Sequence, residues 1–509
     1  MNGFRLKSLT LALPIFLAFS VTAPAQQSAS MAESEPDALN TSAPGAAPIG
    51  GHVYAFPVST KSAEARKLVE QSLEQYENVL LDNSIDSARK ATEKDPHFAL
   101  AYAVWSFAAR RTQPNPDALR KAELFASSAP ADERLLVKFL TNVQKQDLLP
   151  AIISLNDLLE RFPNDAHTLY LTSEWLYFQQ DYDRSVRMME RIIKIDPNFA
   201  PAYNMLGYGK VETGAADPVS AINYLKKYAA LEGGQPNPED SLGEVSRYAG
   251  DDQGSLEHYN AALKLSPNFI TSQIGLGDTY TLMGNFSRAR AEYDKALAMS
   301  TNSRDRLHIE FQKALVNFWE GKPSVGLQTL ATLERKAFGA HEPYSAFEIQ
   351  EARALLAPTA AERFAKLHSM EKIYSSPVEG MSEADRNPSL AAIWRDDVRG
   401  HAELHQLDAT HETVQELEKL AAQSRDLIVE NCYESARGYV YFAQKDFSNA
   451  GDELSADPHS PITVKWLITA REKSGNHQAA QSAKLRLKYL RAPTVEWFLV
   501  THTDNTAAN

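Results

Sequence analysis

Cysteine is almost missing: Cys432 stands alone in 509 residues, so no disulfide can form within the chain and its stability has to come from packing. Long apolar runs are missing too. After Leu9 to Val21 no stretch approaches the roughly 18 apolar residues that cross a bilayer, and no membrane span is expected in the mature chain. Alternating apolar and polar runs bounded by tight turns are absent, which excludes a sheet-based fold. Basic charge is in deficit, with 52 Lys and Arg against 65 Asp and Glu and a net charge of −13. A binder that holds nucleic acid by neutralising phosphates is therefore not expected. The residue patterns of hydrolytic, nucleotide-binding and redox chemistry (GxSxG, a Walker loop, CxxC) do not occur, and the reading assigns no catalytic residue, no cofactor and no metal.

The amino terminus has the layout of a secretory leader. Arg5 and Lys7 precede the apolar run, and Ala23-Pro24-Ala25 forms a small-residue cleavage site before Gln26. Export to a periplasm or the extracellular space is the expectation, with an uncleaved amino-terminal anchor as the alternative. Without the leader, 50 basic residues face 65 acidic ones. Residues 26–51, rich in Ala, Ser and Pro, have too few large apolar side chains to offset the entropy of ordering and are expected to form a disordered spacer.

Beyond the spacer, small residues recur 34 positions apart: Ser72 and Ser106, Ser173 and Gly207, Gly243 and Gly277. Segments echo one another at the same period. Ile195 to Gly209 (IDPNFAPAYNMLGYG) reappears in Leu265 to Tyr280, and more faintly in Glu93 to Phe107. Around Gly277, Gln273, Tyr280, Gly284, Ala289, Tyr293 and Ala296 complete a unit of two helices. The small residue lets the helices cross closely, and bulky neighbours fill the space on either side. Two extra residues within Gly214 to Ala221 lengthen one turn, and a bulky Phe139 falls at one notch, where a wider crossing is expected.

This pattern resembles the tetratricopeptide repeat, paired antiparallel helices stacked into a solenoid. The resemblance implies an all-α fold, a right-handed α-solenoid of helical hairpins. Its regular part is expected over residues 52–299, with degenerate hairpins at 300–376, carboxy-terminal hairpins and a cap at 389–500, and a disordered tail at 501–509. The loop from Tyr374 to Ser389 is the expected boundary between two sub-arrays.

In this family the first helix of each unit lines a concave groove. Carried onto matching positions, the lining comprises His167, Tyr170, Glu174 and Tyr177, then Asn204, Tyr208 and Glu212, then Asp240, Glu244 and Arg247, then Ile274, Asp278 and Thr281. The resemblance implies a non-enzymatic scaffold or adaptor that holds a protein or peptide partner in a bacterial envelope. The aromatic and acidic lining suits a neutral to basic partner. It departs from relatives that grip a carboxyl terminus with basic side chains. Two alternatives stay open: an enzyme or enzyme subunit with a site in the irregular region 300–427, and an array that binds a small ligand.

Two weaker signals are read as structural. His401 and His405, one turn apart in HAELH, have a zinc-compatible spacing but lack the HExxH order, and Ser87 to Lys90 has an SxxK spacing without the elements that accompany it in serine enzymes.

Overall fold

The computed structural model describes residues 58–110, 115–145, 147–178, 181–213, 216–424 and 426–502. The leader, the spacer and most of the expected tail lie outside them. Among the described residues there is no strand, and the chain is an all-α solenoid of consecutive helical pairs. It separates into two compact units, 58–206 and 207–502.

The first unit contains α1 (Ala63–Glu77), α2 (Leu81–Lys94), α3 (Ala99–Ala109), α4 (Pro116–Ala126), α5 (Ala131–Gln144), α6 (Leu148–Arg161), α7 (Ala166–Phe178), α8 (Tyr182–Ile195) and the start of α9 (Ala200–Glu212). The second begins within α9. It continues through α10 (Pro218–Leu231), α11 (Pro236–Ala249), α12 (Asp252–Leu265), α13 (Ile270–Leu282), α14 (Phe286–Met299), α15 (Ser303–Trp319) and α16 (Pro323–Gly339). Then follow α17 (Pro343–Leu355), α18 (Ala360–Tyr374), α19 (Glu383–Glu403), α20 (His411–Ser424), α21 (Leu427–Ala443), α22 (Phe447–Leu454), α23 (Pro461–Lys473), α24 (His477–Lys488) and α25 (Val495–His502). Part of the expected boundary loop is helical: α19 starts at Glu383 with Pro388 inside it.

Turn chemistry punctuates the pairs. Gly250, Gly284 and Gly475 end first helices with φ of 83°, 75° and 79°, a left-handed conformation that costs glycine nothing. The next residue, Asp251, Asn285 or Asn476, then caps the second helix by accepting a backbone N–H bond with its side chain.

The notch behaves as its spacing implies. A small residue lies twelve positions on, and a bulky one sixteen positions on covers the notch. A Cβ on Gly243 would lie 2.8 Å from the Tyr259 ring, on Gly277 2.6 Å from Tyr293, and on Gly438 2.7 Å from Leu454. Gly207 meets Leu225 instead, displaced by the two inserted residues. Where serine holds the notch, hydroxyls replace van der Waals contact: Ser72 Oγ donates to Ser84 O (2.7 Å) and Ser173 Oγ to Ser185 O (2.8 Å). The expected wide crossing at Phe139 is not found. Helices α5 and α6 pack as closely as their neighbours, and the buried Phe139 ring meets Trp175 of α7 edge-on, 6.0 Å between centroids. An aromatic side chain that finds a partner in the next hairpin need not wedge its own hairpin open.

The second unit returns on itself. Arg486 of α24 donates to Val211 O and to Glu212 Oε2 (2.6 Å) at the end of α9. Arg491 donates to Arg247 O (3.0 Å) at the end of α11 and to both carboxylate oxygens of Asp252 (2.6 and 2.9 Å). Each arginine thus satisfies a carbonyl at a helix carboxyl end, where the helix dipole also favours a cation. Charge-assisted bonds contribute about 1.5–3 kcal/mol each. The Arg486→Ala, Arg491→Ala double variant is expected to keep its helix content while the unit opens, read as a larger radius of gyration in solution scattering and as new protease cleavage after α24.

Candidate inner-face site

Within each unit the first helices bring its share of the expected lining together, but as a buried network. His167, Tyr170, Glu174 and Tyr177 in the first unit, Asn204 on the shared helix α9, and Tyr208, Asp240, Glu244, Arg247, Asp278 and Thr281 in the second are all buried. Ile274 is buried as well, and Glu212 is half-buried in the Arg486 contact.

In the first unit the stripe on α7 meets the end of α1. His167 Nδ1 lies 2.6 Å from Glu77 Oε1, Tyr170 OH donates to Glu77 O (3.3 Å), and Tyr76 OH donates to Glu174 Oε1 (3.0 Å). Burial on its own would lower the His167 pKa, but the Glu77 carboxylate outweighs it and holds the imidazolium up to about 9. A raised folded-state value gives stability that is complete below the usual histidine range near 6.5 and lost as pH climbs through about 9. Residues 58–206 should accordingly unfold at lower urea at pH 10 than at pH 7. The His167→Gln variant, weaker at pH 7, should show a flat response across that window.

In the second unit Glu244 is the hub. It accepts from Tyr208 OH (3.1 Å), Tyr248 OH (2.6 Å) and Arg247 Nη2 (3.3 Å). Arg247, fully buried, also lies 3.9 Å from Asp278 Oδ2. Tyr293 OH donates to Asp278 Oδ1 (2.7 Å), and Ser272 Oγ to Asp240 Oδ1. Burial raises Asp240 well above the ordinary carboxyl range and lifts Asp278 to about 6 against the pull of Arg247. Tyr208 is also raised, by burial and then by the Glu244 charge.

The sequence reading missed the continuation of this ladder. The position after the notch is Glu174, Tyr208, Glu244 and Asp278; beyond it lie two further buried polar residues on first helices, Gln312, 34 positions after Asp278, and Glu348. Counting 34 beyond Asp278 reaches Gln312, so the period itself held that signal. Asp240 Oδ2, Asp278 Oδ2, Gln312 Oε1 and Glu348 Oε1 are buried acceptors that receive no hydrogen bond, an arrangement with a desolvation cost that a donor would remove.

The weaker signals resolve as structure. His401 stacks on Phe364 (4.2 Å between centroids), whereas His405 leaves the helix in a left-handed turn with φ 55°. Ser87 Oγ donates to Gln75 Oε1 (2.8 Å) beside the buried Ala88 and Ala91. Cys432 is fully buried among Ala391, Val398, Leu417 and Ala436.

Stacked hairpins with close crossings at a 34-residue period define a helical repeat scaffold. Residues 270–303, which hold α13 and α14, match the family model of the tetratricopeptide repeat. No curated protein sequence matches it. Among solved structures it is similar to PilW, a type IV pilus biogenesis factor (17% identity, 40% of this chain and 92% of that one, TM-score 0.35). It is also similar to yeast Tom70 (14%, 82% and 95%, 0.40) and to a tetratricopeptide repeat protein from Parabacteroides merdae (12%, 56% and 99%, 0.34).

Proposed function

We propose that this protein is a non-enzymatic scaffold that holds a neutral to basic partner protein against the inner face of its repeats, after export to the bacterial envelope. The observation that carries the reading is the run of buried oxygens that accept no hydrogen bond, Asp240 Oδ2, Asp278 Oδ2, Gln312 Oε1 and Glu348 Oε1, on first helices of the second unit. A partner lysine or arginine supplies donors to these oxygens and adds positive charge to that of Arg247 and His308. The leader, with Arg5 and Lys7 before its apolar run, supports the compartment.

The test pairs capture with neutralisation. Immobilised protein is expected to retain a partner from the envelope fraction, and the Asp240→Asn, Glu348→Gln variant to retain at least about tenfold less, the loss that removal of about 1.4 kcal/mol produces. Helix content should be unchanged. Equal retention by both proteins rules out the inner face. A fusion of residues 1–30 to a reporter active only outside the cytoplasm tests export separately.

A further inference from the structure

Helix α25 is not simply the end of the last hairpin. It touches α15, α17 and α23, the first helices of three hairpins, two of them far from it in sequence. In the tetratricopeptide pattern first helices line the inner face, and α25 packs against three of them within the second unit. Val495 joins the apolar cluster of Leu307, Phe311 and Phe318, with Phe498 and Leu499 packed against it. On its other side Trp497, Leu499 and Val500 pack on the cluster of Tyr439, Phe442 and Trp466. The Phe498 ring meets Trp319 at 5.6 Å and Phe318 at 6.1 Å. Its acid is engaged as well: Glu496 Oε2 accepts from Ser460 Oγ (2.8 Å), and the Arg395 charge acts on it.

The polar side of this seat is incompletely filled. Arg395 and Arg399 of α19 are buried and paired with Asp396, Asp457 and Glu403, yet Arg395 Nη1 (3.6 Å from Asp457 Oδ2), Arg399 Nε (3.8 Å from Asp396 Oδ1) and Arg399 Nη2 make no hydrogen bond. Buried guanidinium protons without acceptors are costly. A carboxylate placed a little differently from Glu496 would satisfy them. A solenoid end needs only a polar cover over the last hairpin, whereas α25 reaches across to hairpins about 150 and about 190 residues earlier in the chain. It presents acid, aromatic and aliphatic groups in the way a bound amphipathic helix does.

We propose that the inner face between α15, α17, α19 and α23 is a receptor for an amphipathic helix, and that α25 occupies it in cis. The partner it fits is a helix with a carboxylate in its first turn followed within one turn by an aromatic and an aliphatic residue, the order of Glu496, Phe498 and Leu499. This seat shares α15 and α17 with the run of buried acceptors that ends at Gln312 and Glu348, but it is built from other side chains of those helices and does not rest on the nature of the partner held at Asp240 and Asp278 on α11 and α13.

A fluorescent peptide of residues 493–502 tests it against three purified proteins: the full chain, the full chain with Phe498→Ala, and a chain ending at Ala492. The tethered helix competes at high effective concentration, so the full chain should bind the peptide poorly. The Phe498→Ala and shortened proteins should bind it at least tenfold more tightly, and a Glu496→Lys peptide should lose that gain. Equal affinity for all three proteins overturns the proposal, as does indifference to Glu496→Lys. If neither altered protein retains the circular dichroism of the parent, α25 belongs to the core and the proposal fails on that ground.

Discussion

Replacing Gly275 by alanine is expected to destabilise residues 207–502 by about 2–4 kcal/mol, although alanine is the better helix former by about 1 kcal/mol. A Cβ at this position would stand 2.3 Å from Cζ of the Tyr259 ring and 2.5 and 2.6 Å from its Cε atoms. Favourable carbon contacts begin near 3.5 Å, so the ring has to retreat by about 1 Å. It has nowhere to go. Tyr259 is fully buried, and its other side rests on Gly243, where a Cβ would lie 2.8 Å from Cδ1. The tyrosine of α12 therefore sits in a slot whose two walls are glycines of α11 and α13. Forcing extra volume into such a slot costs roughly 1–3 kcal/mol per insertion, occasionally more, and here the strain falls on two inter-helix contacts together.

Urea unfolding followed by circular dichroism measures the loss. A double-mutant cycle with Tyr259→Leu locates it: the tyrosine truncation should cost clearly less in the Gly275→Ala background than in the parent. Gly284→Ala is the contrasting case. A Cβ at Gly284 would meet nothing within 4 Å, and the penalty comes only from its φ of 75°, about 1–2 kcal/mol. A neutral or stabilising Gly275→Ala would mean that the helices do not approach as closely as described.

Those same glycines show how far local reading reaches. The notch, the small residue twelve positions on and the bulky cover sixteen positions on are all within one hairpin, so Gly243, Gly277 and Gly438 can be assigned from spacing alone. Gly275 cannot, because its partner Tyr259 belongs to the preceding hairpin and the contact depends on how units stack. Hairpin α15–α16 hides for another reason. Its small residue twelve positions beyond Ala314 is Gly326, but the ring that covers Gly326 is Phe318, on the first helix and not the second. A template that expects bulk on the second helix passes over it. The inner stripe was legible as a stripe, since 34-residue steps place Glu244 and Asp278 on one face. Its burial was not, nor was the return of α24 to α9 and α11, because Arg486 and Val211 are 275 residues apart and no period links them. Helix α25 likewise reads as a cap in sequence, and only its contacts show that it packs against the distant first helices α15 and α17.

Arg247→Ala is expected to have the largest effect of any single substitution in the second unit, about 3–5 kcal/mol, the usual cost of leaving a buried charge without its partner. The guanidinium lies among Asp240, Glu244 and Asp278 on α11 and α13, and it also lies over the Tyr248 ring, 5.1 Å from the centroid. Lysine is no substitute, because one ammonium cannot point at Glu244 and Asp278 together. The deficit should depend on pH in a definite sense. Burial raises Asp278 to about 6, and a raised folded-state carboxyl favours the folded state at low pH, a contribution lost as pH climbs through that value. Without Arg247 the largest downward pull on Asp278 is gone and only the Tyr293 hydrogen bond and the His308 charge remain, so its window moves higher. The gap between parent and Arg247→Ala should therefore be wide at pH 8 and narrower at pH 5, where the orphaned carboxyl is protonated. Adding Asp278→Asn to Arg247→Ala should recover part of the loss at pH 8 and little at pH 5. A pH-independent gap would show that the arginine acts through its packed stem and not through its charge.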